Sequence, residues 1–319
     1  MQEILDCTDF DIFEGSVTVR CVITQFINKE SDGSVFFRPT ANASSLEDLV
    51  NRELLATTKD ILLSNNQNWA LIFKLSSDVL NLIVKIRTNS EPLTKSFPSI
   101  SQGLIAYDKY QGQDEATIKD RVFHSTQYRA GWKKWLWGED VTPYSVKWNE
   151  SEYVNYCEGI ANPRDSKYFN GNRILIREIT NPKIFAGFIN EESYNDPALI
   201  IILDNEVGDI HLKVLLGILN SKLATFYHFN SSPKATKGAF PKILVGDIQN
   251  FPLPKSISSA EQQPFIVLVD AILLAKQRNN STLNNSITQH PTTDLEAQID
   301  ELVYALYGLT EEEIAVVAG

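Results

Sequence analysis

The sequence has few of the residues from which most active sites are built. Its 319 residues include three cysteines, Cys7, Cys21 and Cys157, widely spaced and with no CxxC pair. That spacing excludes a zinc ribbon or zinc finger and argues against a disulfide framework; reduced cysteines acting as small hydrophobes account for them. The four histidines, His124, His211, His228 and His290, form no HxxxH pair. There is no GxGxxG, no GxxxxGK[ST] and no GxSxG, so Gly-rich phosphate cradles and a nucleophile elbow are absent. Neither Ala106-Tyr-Asp-Lys109 nor Asp204-Asn-Glu206 makes the acidic-x-Lys pattern of a nuclease. The acidic ends, at residues 3–14 and 311–313, lack the glycine and spacing of a calcium loop and read as solvated faces and a helix start. No catalytic residue, metal site or cofactor site is expected in this chain. The longest apolar run, residues 198–203, is too short to span a membrane. With an acidic rather than basic N-terminus, it predicts a soluble cytoplasmic protein with no membrane partner.

What is present is an ordinary globular balance, 43% hydrophobic and 22% charged, at a length that suggests more than one domain. The formal net charge is -11, which excludes a uniformly basic coat but not a local basic surface. The charge is segregated. Residues 118–148, 164–183 and 222–255 carry net charges of +3, +3 and +4, inside a chain whose acidic residues gather toward both ends. Four of the five tryptophans, Trp132, Trp135, Trp137 and Trp148, crowd among Arg129, Lys133, Lys134, Tyr144 and Lys147. Lysine and arginine hold phosphates, while aromatics and arginine supply stacking or base-edge contact. Burial in a core is the competing account of each tryptophan. Ser231-Ser-Pro-Lys-Ala-Thr-Lys-Gly238 reads as a small, polar, basic loop suited to phosphate contact.

The pattern of residue types divides the chain into four stretches. Residues 1–38 read as two strands, 4–13 and 17–27, around a Glu14-Gly-Ser16 turn; residues 39–99 read as a helical connector that Ser45 caps. Residues 100–260 mix short strands with one helix over 212–229. Residues 261–319 read as a C-terminal helical segment, with a mobile Asn/Ser/Thr-rich loop at 278–291 and a glycine C-cap at Gly308. The expected class is α+β, a mixed sheet with flanking helices.

Several segments in order resemble a known family. They are Leu219-Asn-Ser-Lys-Leu223 closing a helix, Lys237-Gly-Ala-Phe-Pro-Lys-Ile243, Asn250-Phe-Pro-Leu-Pro254, Gly138-Glu-Asp-Val-Thr-Pro-Tyr144, Arg173-Ile-Leu-Ile-Arg-Glu-Ile179 and Asp300-Glu-Leu-Val-Tyr-Ala-Leu-Tyr-Gly-Leu-Thr310. Together they are similar to the TaqI-like C-terminal specificity domain, the target-recognition part of adenine-specific DNA methyltransferases and type IIG restriction-modification enzymes. The chain departs from the parent enzymes: Asn162-Pro163 and Asn181-Pro182 are not the Asn-Pro-Pro-Tyr motif, and no S-adenosylmethionine loop is present. The resemblance therefore implies a C-terminal fragment, with residues 1–38 as the last strands of a truncated methyltransferase domain. S-adenosylmethionine would belong to the parent enzyme. Residues 100–260 would be the target-recognition domain, with double-stranded DNA and the parent chain's catalytic domain as partners. Under this reading Lys133, Lys134, Lys234 and Lys237 contact phosphates, while Arg129, Arg164 and Tyr144 contact base edges; the helix carrying Leu219–Leu223, the Arg173–Ile179 strand and the helix of the last motif are scaffold. The rival reading is a protein-interaction and assembly module without direct DNA contact, which scattered rather than continuous positive charge would favour.

Overall fold

The computed structural model describes all residues except 1, 11, 14–20, 29–32, 60–61, 63–68, 205–207, 233, 236–239 and 282–291. The chain divides into two compact units, Met1–Ile83 and Val84–Gly319. The fold is α+β, with mixed sheets and, among the described residues, no closed barrel.

The first unit is built on a four-stranded sheet ordered β2-β1-β3-β4, from β1 (Glu3–Asp6), β2 (Val22–Gln25), β3 (Ser34–Phe37) and β4 (Leu55–Thr58). β1 pairs antiparallel with β2 and parallel with β3. The strands are shorter than the apolar runs suggest, and the Glu14–Ser16 turn lies outside the described residues. Helices α1 (Leu46–Asn51) and α2 (Trp69–Lys74) complete this unit, and the division between units falls within α3 (Ser77–Thr88). Ser45 accepts from Asp48 N, as its type and position predict. Ile4, Val35, Phe37, Leu62, Ile72 and Phe73 form the core.

The second unit holds a short pair, β5 (Ser90–Pro92) with β16 (Pro252–Pro254), and two larger sheets. A six-stranded sheet runs β6-β15-β12-β13-β10-β9, from β6 (Ile100–Gln102), β9 (Val141–Thr142), β10 (Tyr144–Val146), β12 (Arg173–Arg177), β13 (Ala186–Ile189) and β15 (Leu199–Leu203). β12 does not alternate, because helices cover one face and a second layer the other: Arg173, Ile174, Leu175 and Ile176 are all buried. The second layer is the four-stranded sheet β14-β8-β11-β7, from β7 (His124–Ser125), β8 (Lys133–Leu136), β11 (Tyr153–Val154) and β14 (Tyr194–Asn195). Trp135, Leu136, Val154, Phe169, Leu175, Leu199 and Ile201 join the layers in one core. Between β6 and β7 lies α4 (Glu115–Lys119).

Residues 212–229 do not form one helix. They form α5 (Leu212–Asn220) and part of α6 (Lys222–Ser231), broken at Ser221, whose backbone is extended (φ -71, ψ 160). The hydroxyl of Ser221 donates to Ile218 O and accepts from Ala224 N, closing one helix and capping the next. α7 (Val245–Gln249), α8 (Ser259–Ser281), α9 (Thr293–Leu306) and α10 (Glu311–Ala318) follow. The part of the expected 278–291 loop described here continues α8 to Ser281; the rest lies outside the described residues. Gly308 takes the left-handed conformation (φ 64) just past α9, the expected stop. No helix among the described residues is long and apolar enough to cross a membrane.

Candidate nucleic-acid interface

The segments that carried the resemblance clasp one another. Asn220 pairs with the backbone of β13, accepting from Ala186 N and donating to Ala186 O and Leu216 O. Lys222 N donates to the Asp300 carboxylate, joining Leu219–Leu223 to the helix that starts the last motif. The Tyr307 hydroxyl donates to Pro252 O, 2.7 Å away. Glu178 forms an ion pair with Lys242, and Ile243 N donates to Glu178 O. Buried polar groups need partners, and these residues are occupied in supplying them. They are scaffold.

Asp140 works in the same way and positions the aromatic surface. Its carboxylate accepts from Trp137 N (2.7 Å) and Asn149 N (3.1 Å), while its carbonyl accepts from Lys147 N. Burial raises its pKa despite these bonds. The clamp folds the hairpin β9–β10 back so that Trp148 returns to the four-stranded sheet. There Tyr128 meets Tyr153 edge-on, with ring centroids 5.4 Å apart, and Tyr153 meets Trp148 at 5.0 Å. The ammonium of Lys134 lies 5.3 Å from the Trp148 ring, and the guanidinium of Arg129 lies 4.8 Å from Trp132. Tyr128 is 66% exposed. The register Tyr153↔Lys134 and Tyr153↔Ser125 puts these side chains on one face. The result is a surface band of tyrosine, tryptophan and cations: Tyr128, Tyr153, Trp148 and Lys134 in one chain of contacts, and Arg129 on Trp132.

The predicted site residues separate into three groups. Arg129 belongs to the band and makes no ion pair among the described residues. Lys234 is exposed, and Lys237 lies outside the described residues. Arg164 is half-buried, with its guanidinium on Asn162 Oδ1 and Pro163 O. Lys134 sits at the band and Lys133 projects to the other face of β8; both are ion-paired, Lys133 with Glu192 and Lys134 with Glu191, each at 2.7 Å. Tyr144 requires a correction: it is 1% exposed, in the core of the six-stranded sheet beside α8, and holds a left-handed backbone (φ 65). Burial and the nearby carboxylates of Glu296 and Asp300 push its hydroxyl pKa up. As placed, it reaches no base edge. Trp135, with 2% exposure, is likewise core.

Arg121 escaped the sequence reading. Its guanidinium makes a bidentate pair with Glu152 (2.8 and 2.9 Å) and packs over Tyr107 and Trp137. Behind it the Tyr107 hydroxyl meets His124 Nδ1 at 2.8 Å. Burial, then Arg121, holds the His124 pKa down to about 4; burial alone does the same for His228, which meets Thr180 Oγ1.

Both histidines fold neutral, whereas an unfolded chain protonates them near 6.5. The unfolded state therefore binds more protons between these values, and stability falls as pH drops from about 6.5 toward 4. The effect is on the order of 3 kcal/mol per histidine, opposed by Asp140, Asp196 and Asp300, whose burial-raised pKa values favour the folded state in acid. Urea midpoints should decline from pH 7 to pH 5, and His124→Asn with His228→Asn should flatten that decline whatever it does to the midpoint at pH 7. An equally steep decline in the double variant would refute the assignment.

The geometry defines an α+β scaffold whose motif residues hold it together and whose open face is aromatic and cationic. Residues 133–253 match the family model of the TaqI-like C-terminal specificity domain. The chain is 25% identical, over 309 residues, to RM.MjaORFECS2P of Methanocaldococcus jannaschii, a protein named as a candidate type II restriction enzyme and methyltransferase. The match covers 93% of this chain and 24% of that protein, so the chain spans about a quarter of its relative's length. The fold is similar to that of the type IIL restriction-modification enzyme MmeI, solved in complex with DNA, at a TM-score of 0.51 and 15% identity, covering 99% of this chain and 44% of that one. The type IIG restriction endonuclease BpuSI is also similar, at a TM-score of 0.38 and 14% identity over 86% of this chain and 39% of that one.

Proposed function

We propose that this chain is the sequence-recognition module of an adenine-specific DNA methyltransferase or type IIG restriction-modification enzyme. It binds duplex DNA so that a catalytic domain of the same parent protein, holding S-adenosylmethionine, can methylate adenine. The observation that carries the reading is the cation–aromatic band at 128–153, of which Lys134, Trp148 and Tyr153 fall inside the segment that matches the specificity-domain model. Such a surface suits phosphate contact through cations and base contact through arginine and rings. Arg129 and Arg164 are assigned to base edges, Lys234 and Lys237 to phosphates. Lys133 and Lys134 are assigned to phosphates once their glutamates let go.

The net charge of -11 does not oppose this. At about 0.15 M salt the Debye length is about 8 Å, so acidic groups farther off are largely screened from the bound phosphates. The test is fluorescence anisotropy with a labelled duplex across a salt series. With about six phosphates engaged, affinity should fall about a thousandfold between roughly 50 and 200 mM salt. Lys234→Ala should lower the log–log salt slope by about 0.9 for every sequence. Arg129→Ala or Arg164→Ala should instead relax discrimination, by about 1–3 kcal/mol per lost base contact. Undetectable binding at low salt would favour the interaction-module reading.

A further inference from the structure

Two consecutive lysines of β8, of which Lys134 lies on the band beside Trp148, are neutralised by two consecutive glutamates. Lys133 and Lys134 begin β8; Glu191 and Glu192 lie in the loop between β13 and β14. Both Nζ–Oε2 distances are 2.7 Å. Successive strand residues project to opposite faces, so the glutamates meet β8 on both sides. The loop is anchored. β14 pairs in parallel with β8, Tyr194 opposite Trp135. Ser193 N donates to Phe169 O. From beneath, the fully buried Arg173 donates through Nη2 to Ser193 O (3.1 Å) and Ser193 Oγ (2.8 Å), and through Nη1 to Gly171 O (2.9 Å). Arg129 and Lys234 have no such counterpart among the described residues.

We propose that Glu191 and Glu192 are specificity-determining residues: they hold Lys133 and Lys134 away from the phosphates of unrelated duplex and yield them only where base contacts at the adjoining band favour the exchange. The inference rests on the DNA-binding reading above. Its physical basis is ion exchange. A lysine that leaves a carboxylate for a phosphate releases a counterion from DNA, while the abandoned carboxylate takes one up, so a paired lysine adds little to the net salt dependence. A lysine facing glutamine adds its full share, about 0.9 per phosphate.

The experiment compares four forms of the full chain on a random-sequence duplex across a salt series: the natural protein, E191Q/E192Q, K133A/K134A and the quadruple variant. The expected result is about tenfold tighter binding by E191Q/E192Q at low salt, a salt slope steeper by about 1.8, and no change from the same glutamine pair in the K133A/K134A background. The single E192Q variant carries about half the slope change. Selection from a randomised duplex pool should enrich a sequence less strongly with E191Q/E192Q than with the natural protein. An unchanged slope in E191Q/E192Q, with the natural protein binding, overturns this inference alone. So does an equal gain in the K133A/K134A background, which would make the effect one of bulk charge. Failure of every form to bind at about 50 mM salt overturns the DNA-binding reading, and this inference with it.

Discussion

Gly103→Ala should unfold the second unit about 10 °C earlier than the natural chain. A Cβ at this position would fall inside hard-contact distance of the carbonyl oxygens of Asp196 and Asn195 and of Asn195 Nδ2. The backbone there is committed on every side. Gly103 N donates to Leu199 O, and Leu104 N donates to Asn195 O. Asn195 is fully buried, so the obstructing carbonyls cannot swing into solvent. Relief requires β6 to separate from the turn that joins β14 to β15, loosening the edge of the six-stranded sheet. Overpacking against backbone at this depth should cost about 3–5 kcal/mol, and a domain of this size loses about 2–4 °C per kcal/mol. Gly138→Ala is the control: a Cβ there has nothing within 4 Å and the backbone has no positive φ, so its Tm should stay within about 2 °C. Calorimetry of the three proteins decides it, and a Gly103→Ala chain with unchanged Tm would show that the turn moves freely.

Arg173→Ala is the second large effect, at about 4 kcal/mol. The side chain is completely buried, and burial lowers its pKa to about 10, which leaves it charged at neutral pH. No carboxylate among the described residues forms an ion pair with it, although Glu191 and Glu192 act on it from farther off. Its charge is dispersed over the Gly171 and Ser193 carbonyls and the Ser193 hydroxyl, and Nε has no partner. Truncation leaves a cavity and takes the donors from the buried Ser193 carbonyl and the partly exposed Gly171 carbonyl, each loss acting in the same direction. Arg173→Met keeps most of the volume but not the donors, and should recover about half of the lost stability. Urea denaturation of both variants separates the cavity from the hydrogen bonds. Equal stability of the alanine variant and the natural chain would mean that desolvating the guanidinium cancels all that it binds.

Local patterning made much of the scaffold legible. The apolar run at 198–203 is a buried strand, the serine before Leu46 is a cap, and Gly308 stops a helix, because each depends on neighbours within a few residues. Periodicity misjudged Leu219-Asn-Ser-Lys-Leu223. The apolar spacing continues through it, but Ser221 prefers to spend its hydroxyl on both helix ends, and Asn220 prefers the backbone of β13. The surface was harder. Local charge counts marked 118–148 as basic, yet Lys133 and Lys134 meet acids 59 and 57 residues away. Nothing in the spacing of a sequence pairs charges at that separation. Tyr144 stands among lysines and tryptophans in the chain, but its place in β10 turns it inward beneath α8. Asp140 was visible as a motif residue; its role, holding two amides so that Trp148 can return to the sheet, required the fold.

The pairing of β5 with β16 sets Ser90, Glu91 and Pro92 opposite Pro254, Leu253 and Pro252. A stretch of chain beginning after Pro92 and ending before Pro252 thus leaves and re-enters at neighbouring points, about 5 Å apart across a strand pair. It contains the whole of both larger sheets. Such a stretch is a cassette: one copy can be exchanged for another without moving the two ends that receive it. The constraint on exchange is α5, which lies in the cassette but packs on α8 and α9 outside it, with Gly217 close against Phe265 and Ile299. The stretch can therefore be replaced wholesale, provided each newcomer brings a helix that still fits that seat.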